Sequence, residues 1–163
     1  MSDSLSIRVG IGYDSHRFAP GGPLVLGGVR IESGVHLHGH SDGDAICHAV
    51  TDAILGAAAM GDIGAMFSDT DSENAGRDSI EMLALAVERV RRAGWRVGQV
   101  DVVVVAESPK LGPYRDRMRE RVAAATGIAS ADVSLKGKTN ELMGFVGRGE
   151  GLACMATATI VRS

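Results

Sequence analysis

Apolar and polar positions alternate from Ser4 to Tyr13, where Ile7, Val9 and Ile11 are separated by Arg8, Gly10 and Gly12. A period of two predicts a strand, and this one ends in Asp14-Ser15-His16. Gly21-Gly22-Pro23 marks a turn. Leu24–Leu26 and Val29–Ile31, either side of Gly27-Gly28, predict a hairpin or a kinked strand pair. Ser33 to Gly43 is too polar and glycine-rich for a regular element and reads as a loop. The period then becomes helical from about Asp44 to Met60, with Ile46, Val50, Ala53, Ile54 and Ala57 on one face and alanines that allow close packing. Acidic residues at its start suit the positive end of the helix dipole. Gly61-Asp62-Ile63-Gly64 stops it, and Ala65 to Arg77 is a polar loop. A second helix runs roughly from Ser79 to Ala93, with Ile80, Leu83, Val87 and Val90 inward, and Gly94 caps it. Val100–Ala106 is a β-branched run that predicts a strand buried on both faces. A third helix starts near Pro113 and continues to about Thr126, with Gly127 beyond it. Val133–Lys136 and Leu152–Val161 complete the strands. In the last, Leu152, Cys154, Ala156, Ala158 and Ile160 share a face.

This order predicts a single α+β domain spanning residues 1–163: a mixed four- to five-stranded sheet of ferredoxin-like topology with helices on one face. The other sheet face is partly apolar and no second helical layer remains to cover it. Homo-oligomerisation through the sheets is therefore expected.

Composition narrows the functional classes. A net charge of −3, without a basic run or an aromatic platform, gives no reason to expect a nucleic acid partner. The apolar runs Ala53–Met60 and Val102–Ala106 are too short to span a bilayer. The polar start Met1-Ser2-Asp3-Ser4 carries no targeting pattern, and the two cysteines, Cys47 and Cys154, are far apart. Both features point to a reducing, cytoplasmic setting. There are 22 glycines among 163 residues, about twice the usual share of roughly 7%, so close backbone approaches are expected.

All five histidines, His16, His36, His38, His40 and His48, lie in the first third of the chain among acidic residues. Such clustering points to a metal or acid–base site; the plainer alternative is a polar hairpin tip. Asp14 and His16, two apart in extended chain, point the same way, although a turn residue followed by a surface histidine has the same spacing. Asp44, His48 and Asp52 form an i, i+4, i+8 stripe on the first helix. Asp52 could orient the His48 ring from behind, or the stripe could simply be solvated. A catalytic zinc takes three protein ligands and leaves one position open. Asp14, His16 and one further histidine, best supplied by the helical His48, would serve, leaving loop histidines such as His40 for anions. Gly137–Gly151 interleaves five glycines with charged and hydroxyl residues. It has the composition of a phosphate cradle without matching the P-loop, and reads equally as a surface turn. The hydroxyls of Ser41 and Thr139, with Lys110, Arg148 and Glu141, suit phosphate chemistry aided by a harder ion, Mg²⁺ or Mn²⁺.

Six blocks in order resemble one family: Gly12-Tyr13-Asp14-Ser15-His16, His40-Ser41-Asp42-Gly43-Asp44, His48-Ala49-Val50-Thr51-Asp52, Gly61-Asp62-Ile63-Gly64, Phe67-Ser68-Asp69-Thr70-Asp71 and Gly144-Phe145-Val146-Gly147-Arg148-Gly149-Glu150-Gly151. The family is that of the 2-C-methyl-D-erythritol 2,4-cyclodiphosphate synthases of non-mevalonate isoprenoid biosynthesis. The resemblance implies a homotrimer with active sites between subunits and a zinc held by Asp14, His16 and His48. It implies phosphate contacts from His40 and Ser41, methylerythritol contacts from Asp62 and Gly64, and closure of Phe67, Ser68, Asp69, Thr70 and Asp71 over that end. Ala106, Glu107, Ser108, Pro109 and Lys110 match the cytidine segment, and Lys138, Thr139, Asn140 and Glu141 the diphosphate segment. There Thr139 would polarise a phosphate and Glu141 would bind Mg²⁺ or Mn²⁺. Phe145 follows, with Arg148 and Glu150 near the trimer axis, where an isoprenoid diphosphate could also be held. Two positions depart from the family pattern: Ser68 where Pro is common, an exchange that loosens the loop, and Lys138 where Thr is frequent, which adds charge.

The implied reaction is intramolecular phosphoryl transfer on 4-diphosphocytidyl-2-C-methyl-D-erythritol 2-phosphate, giving the cyclodiphosphate and CMP. Two rival readings use the same ligands: a zinc-dependent phosphohydrolase, and a non-enzymatic trimer stabilised by zinc.

Overall fold

The computed structural model describes residues 6–68 and 70–163. The expected beginning of the first strand at Ser4 and the loop residue Asp69 lie outside the described residues. The elements are β1 (Ile7–Pro20), β2 (Leu24–Leu26), β3 (Val29–Ile31), β4 (Val35–Leu37), α1 (Ala45–Ala57), α2 (Ile63–Met66), α3 (Ser79–Arg92), β5 (Trp95–Val105), α4 (Arg115–Thr126), β6 (Val133–Lys138), α5 (Gly144–Gly147) and β7 (Gly151–Arg162).

The main sheet has the order β4-β1-β7-β5-β6, and β2 pairs with β3 as a separate hairpin. All its neighbours are antiparallel except β5 and β6, which are parallel and joined through α4. A mixed α+β sheet with five strands is therefore present, but its connectivity is not ferredoxin-like. The ferredoxin-like pattern splits each βαβ unit around another strand, whereas β5 and β6 are direct neighbours.

The β1 alternation is real, yet its apolar side faces outward. Ile7, Val9, Ile11 and Tyr13 are 56–71% exposed, while Gly10 and Gly12 are buried. The reason is the helix on the other side. A Cβ at Gly10 would sit 1.9 Å from the Ala53 carbonyl oxygen, and one at Gly12 1.9 Å from that of Ala49. Glycine on the strand and alanine on the helix let α1 lie directly on β1, close enough to exclude any side chain between them. Register carries this interior face across the sheet, from Gly10 and Gly12 to Ala158 and Ala156, Val100 and Val102, then Val133 and Leu135. Leu152, Cys154, Ala156, Ala158 and Ile160 are all buried there, beneath α1, α3 and α4. The opposite face of β5 is only half-buried at Asp101, Val103 and Val105. The expectation of a strand buried on both faces thus fails within one chain, because every long helix packs on the same side. Among the described residues no helix is long and apolar enough to cross a membrane.

The loop expected from Ser33 to Gly43 contains a short strand, β4, paired with the far end of β1. β1 accordingly extends well beyond Tyr13, and Asp14 and His16 lie inside it, opposite Cys154 and Leu152. At the start of α1, Asp44 is fully buried and N-caps the helix, accepting from the Cys47 N–H at 3.1 Å. It also accepts from Gly27 N–H at 2.8 Å and Gly28 N–H at 2.7 Å, tying the β2–β3 turn to the helix. Burial pushes its carboxyl upward against these three donors. Asp44 is therefore a structural anchor and no part of a solvated stripe.

Candidate active site

Asp14 and His16 share the strand face of Gly10 and Gly12, so the close approach that seats α1 also aims both side chains at it. One turn into α1, His48 meets them. Asp14 Oδ2 lies 2.9 Å from His16 Nε2 and 3.1 Å from His48 Nδ1, and the two ring nitrogens are 3.4 Å apart. These three atoms form the one metal-ligand cluster found among the described residues. His16 Nδ1 donates to the His38 carbonyl at 2.7 Å, which leaves a lone pair on Nε2. The Ser79 hydroxyl donates to Asp42 Oδ1, so its oxygen, 2.9 Å from His48 Nε2, can only accept from that ring. Nδ1 of His48 is then also a bare lone pair. Three acceptors pointing at one another are suited to a cation between them, and the donor set of one carboxylate and two imidazoles fits zinc. Without a cation the groups share protons. Burial raises the Asp14 carboxyl, but the hydrogen bonds and charges of His16 and His48 outweigh this and hold it below its usual range. The Asp14 hydrogen bond raises His16 despite burial.

The triad opens into a cavity of about 250 Å³. His40 and Ser41 line it on one side, Gly64 and Phe67 on another. Phe67 is 7% exposed and forms a wall, with the Arg77 guanidinium 5.6 Å from its ring centre. Asp62 caps α2 by accepting from Ala65 N–H. Ser68, Thr70 and Asp71 are exposed and bond within their own segment: Ser68 Oγ is 2.7 Å from Thr70 Oγ1, and Asp71 accepts from Glu73 N–H. Asn74 and Met82 also line the cavity, and sequence reading did not assign them. Met82 sits on the buried stripe of α3 with Ser79, Leu83, Ala86 and Val90, so a stricter reading of the helical period could have found it.

A second cavity, about 290 Å³, lies at the C-terminal ends of β5 and β6. Ala106, Pro109 and Lys110 line it from one strand end, Lys138 and Thr139 from the other. Glu107 binds them together, its Oε1 accepting from Asn140 N–H at 2.9 Å and Leu142 N–H at 3.2 Å. Ser108 is exposed nearby, as are Thr139 and Glu141, whose side chains are 3.5 Å apart. Phe145 is 40% exposed, and Arg148 pairs with Glu150 at 2.7 Å. The two cavities share no lining residue.

Asp52 does not support His48 through a hydrogen bond; its Oδ1 accepts instead from Ile63 N–H at 2.7 Å, fixing the start of α2. His36 donates from Nδ1 to the Gly21 carbonyl. The His38 ring is exposed, but its backbone carbonyl orients His16. Burial pushes the thiols of Cys47 and Cys154 well above their ordinary range, so neither is a ready nucleophile.

A profile described as the YgbB family matches residues 7–161. A protein of Gemmatimonas aurantiaca named 2-C-methyl-D-erythritol 2,4-cyclodiphosphate synthase is 61% identical, over 97% of this chain and 95% of its own. One of the same name from Thermosynechococcus vestitus is 50% identical over 96% and 97%. Among solved structures, a CDP complex of Plasmodium falciparum IspF superposes with TM-score 0.84 at 32% identity, covering 97% of each chain. The bifunctional IspDF of Campylobacter jejuni superposes with TM-score 0.94 at 38% identity over 98% of this chain, which spans 43% of that one.

Proposed function

The chain belongs to the YgbB family, and on that premise we propose that it converts 4-diphosphocytidyl-2-C-methyl-D-erythritol 2-phosphate to 2-C-methyl-D-erythritol 2,4-cyclodiphosphate and CMP. The observation that carries the reading is the Asp14–His16–His48 convergence, open to a cavity that His40 and Ser41 line. A triad with an open side suits catalysis; a purely structural site is closed. Asp14, His16 and His48 would hold a zinc ion, which when bound would supply Lewis-acid polarisation of a phosphoryl oxygen.

In the proposed reaction an oxygen of the 2-phosphate attacks the β-phosphorus of the diphosphate, and the bond from that phosphorus to the oxygen of the leaving CMP breaks. No side-chain nucleophile is needed, which agrees with the inert thiols. The protein's part is positioning and charge neutralisation. His40 and Ser41 hold phosphate beside the triad, and Thr139 polarises it from the other side. Asp62, Gly64, Phe67, Ser68, Thr70 and Asp71 enclose the methylerythritol. Ala106–Lys110 take the cytidine and Lys138–Asn140 the diphosphate, a division of the cytidine nucleotide for which the CDP complex of the Plasmodium relative supports the ligand class alone. Glu141 would carry Mg²⁺ or Mn²⁺, whose preference for oxygen ligands its carboxylate meets. Incubating the substrate with the metal-loaded protein should yield the cyclodiphosphate and CMP in equal amounts. Release of inorganic phosphate without the cyclic product would show a hydrolase instead.

A trimer with each site shared between subunits completes the reading. Ile7, Val9, Ile11, Tyr13 and Met155 form an exposed apolar patch on the helix-free face of the sheet, an arrangement that calls for a partner. Because the two cavities share no residue, a neighbouring chain can bring the cytidine half to the metal half. Light scattering is expected to give three times the chain mass, and a monomer would refute this assembly.

A further inference from the structure

We propose that Ser79 and Asp42 are positioning residues that set the tautomer and direction of His48; this rests on the reading that Asp14, His16 and His48 hold a metal. Ser79 is the first residue of α3, fully buried, after the N-cap Asp78. Its single hydroxyl proton goes to Asp42 Oδ1, and its backbone N–H donates to Asp42 Oδ2 at 3.2 Å. The carboxylate therefore grips Ser79 at two points, and Oδ1 also accepts from Asp44 N–H at 3.1 Å. Asp42 thus ties the first turn of α3 to the N-cap of α1, one turn before His48.

The direction of each bond follows from the donors present. An ionised carboxylate has no proton to give, so Ser79 donates to Asp42 and accepts from His48 Nε2. The lone pair of His48 is confined to Nδ1, the atom facing Asp14. The buried hydroxyl also fixes the ring plane, and the Asp42 charge beyond it makes the imidazole a stronger donor to a cation. Ser41 Oγ lies 3.0 Å from the same Nε2. Because Ser79 already accepts that proton with its own committed, the Ser41 hydroxyl can turn to an anion in the cavity.

The test compares the wild-type protein with Ser79→Ala, Asp42→Asn and the double variant. Zinc affinity is read by competition with a chromogenic chelator, and ligand geometry by the d–d spectrum of the Co²⁺-substituted proteins. Outer partners of metal-bound histidine typically govern affinity by about 10- to 100-fold. Ser79→Ala is expected to weaken zinc binding about tenfold or more and to shift the Co²⁺ bands. Asp42→Asn keeps an acceptor for the Ser79 hydroxyl and should have the smaller effect. The double variant should lose no more than Ser79→Ala alone, because the two residues act in series. Wild-type affinity and spectrum in both single variants would overturn the proposal, as would losses that multiply in the double variant. If Ser79→Ala fails to fold, Asp42→Asn decides by itself: weakened zinc binding with shifted bands supports the relay, and unchanged values refute it. A wild-type protein that takes up no zinc would instead remove the metal site, and this proposal with it.

Discussion

Replacing His48 by alanine should abolish metal uptake and lower cyclodiphosphate formation by about a thousandfold or more, the scale on which preorganised electrostatic groups contribute. The cause is geometric. Asp14 and His16 come from one strand and present two donor atoms side by side; only His48, from α1, closes the triangle. With two protein ligands the site falls below the three that catalytic zinc requires. The fold should survive, since the His48 side chain is still partly solvent-exposed and its loss leaves the surrounding backbone bonds intact. His36→Ala is the control: that ring bonds the Gly21 carbonyl away from the triad and should leave both metal content and rate unchanged. Metal analysis and a product assay on the two variants decide the matter. A His48→Ala protein within tenfold of wild-type activity would rule the triad out as the reaction centre.

A second large effect is expected far from any charge. Gly12→Ala should destabilise the chain by roughly 3 kcal/mol or more, at the upper end for overpacking, because what the new methyl meets is backbone and cannot turn aside. Its Cβ would lie 1.9 Å from the Ala49 carbonyl oxygen and 2.9 Å from the Ala53 nitrogen. Helix α1 must then lift from β1, and Ala49 is the neighbour of His48, so the metal ligand moves with it. Stability and zinc affinity should fall together, the first read by urea denaturation of the metal-stripped protein, the second by chelator competition. Gly34→Ala, where an added Cβ meets nothing within 4 Å, should change neither. A Gly12→Ala protein as stable as wild type would mean that the helix–strand contact is looser than its distances.

The candidate metal triad was legible in the chain. The i, i+2 spacing of Asp14 and His16 depends only on extended backbone, and β1 is extended throughout that stretch. His48 was legible because a helical period had already placed it near the start of α1. Asp52 misled because i+4 spacing on a helix brings two side chains near each other without obliging them to pair, and the Ile63 N–H at the start of α2 offered a better partner. Asp42 and Ser79 were read only as a helix-opening acid and a helix start. They lie 37 positions apart, and nothing local in either segment announces the other.

Periodicity and spacing, by themselves, determined where α1, α3 and β7 run and, on α1 and β7, which side chains share a face, because those properties follow from backbone geometry over a few residues. They could not say which face is inside. On β1 the isoleucines would go inward by hydrophobicity alone, yet the glycines do, because the alanine-rich α1 packs only where the strand carries no side chain. That choice of side, made between segments distant in the chain, turned Asp14 and His16 toward His48, and only the tertiary structure could make it.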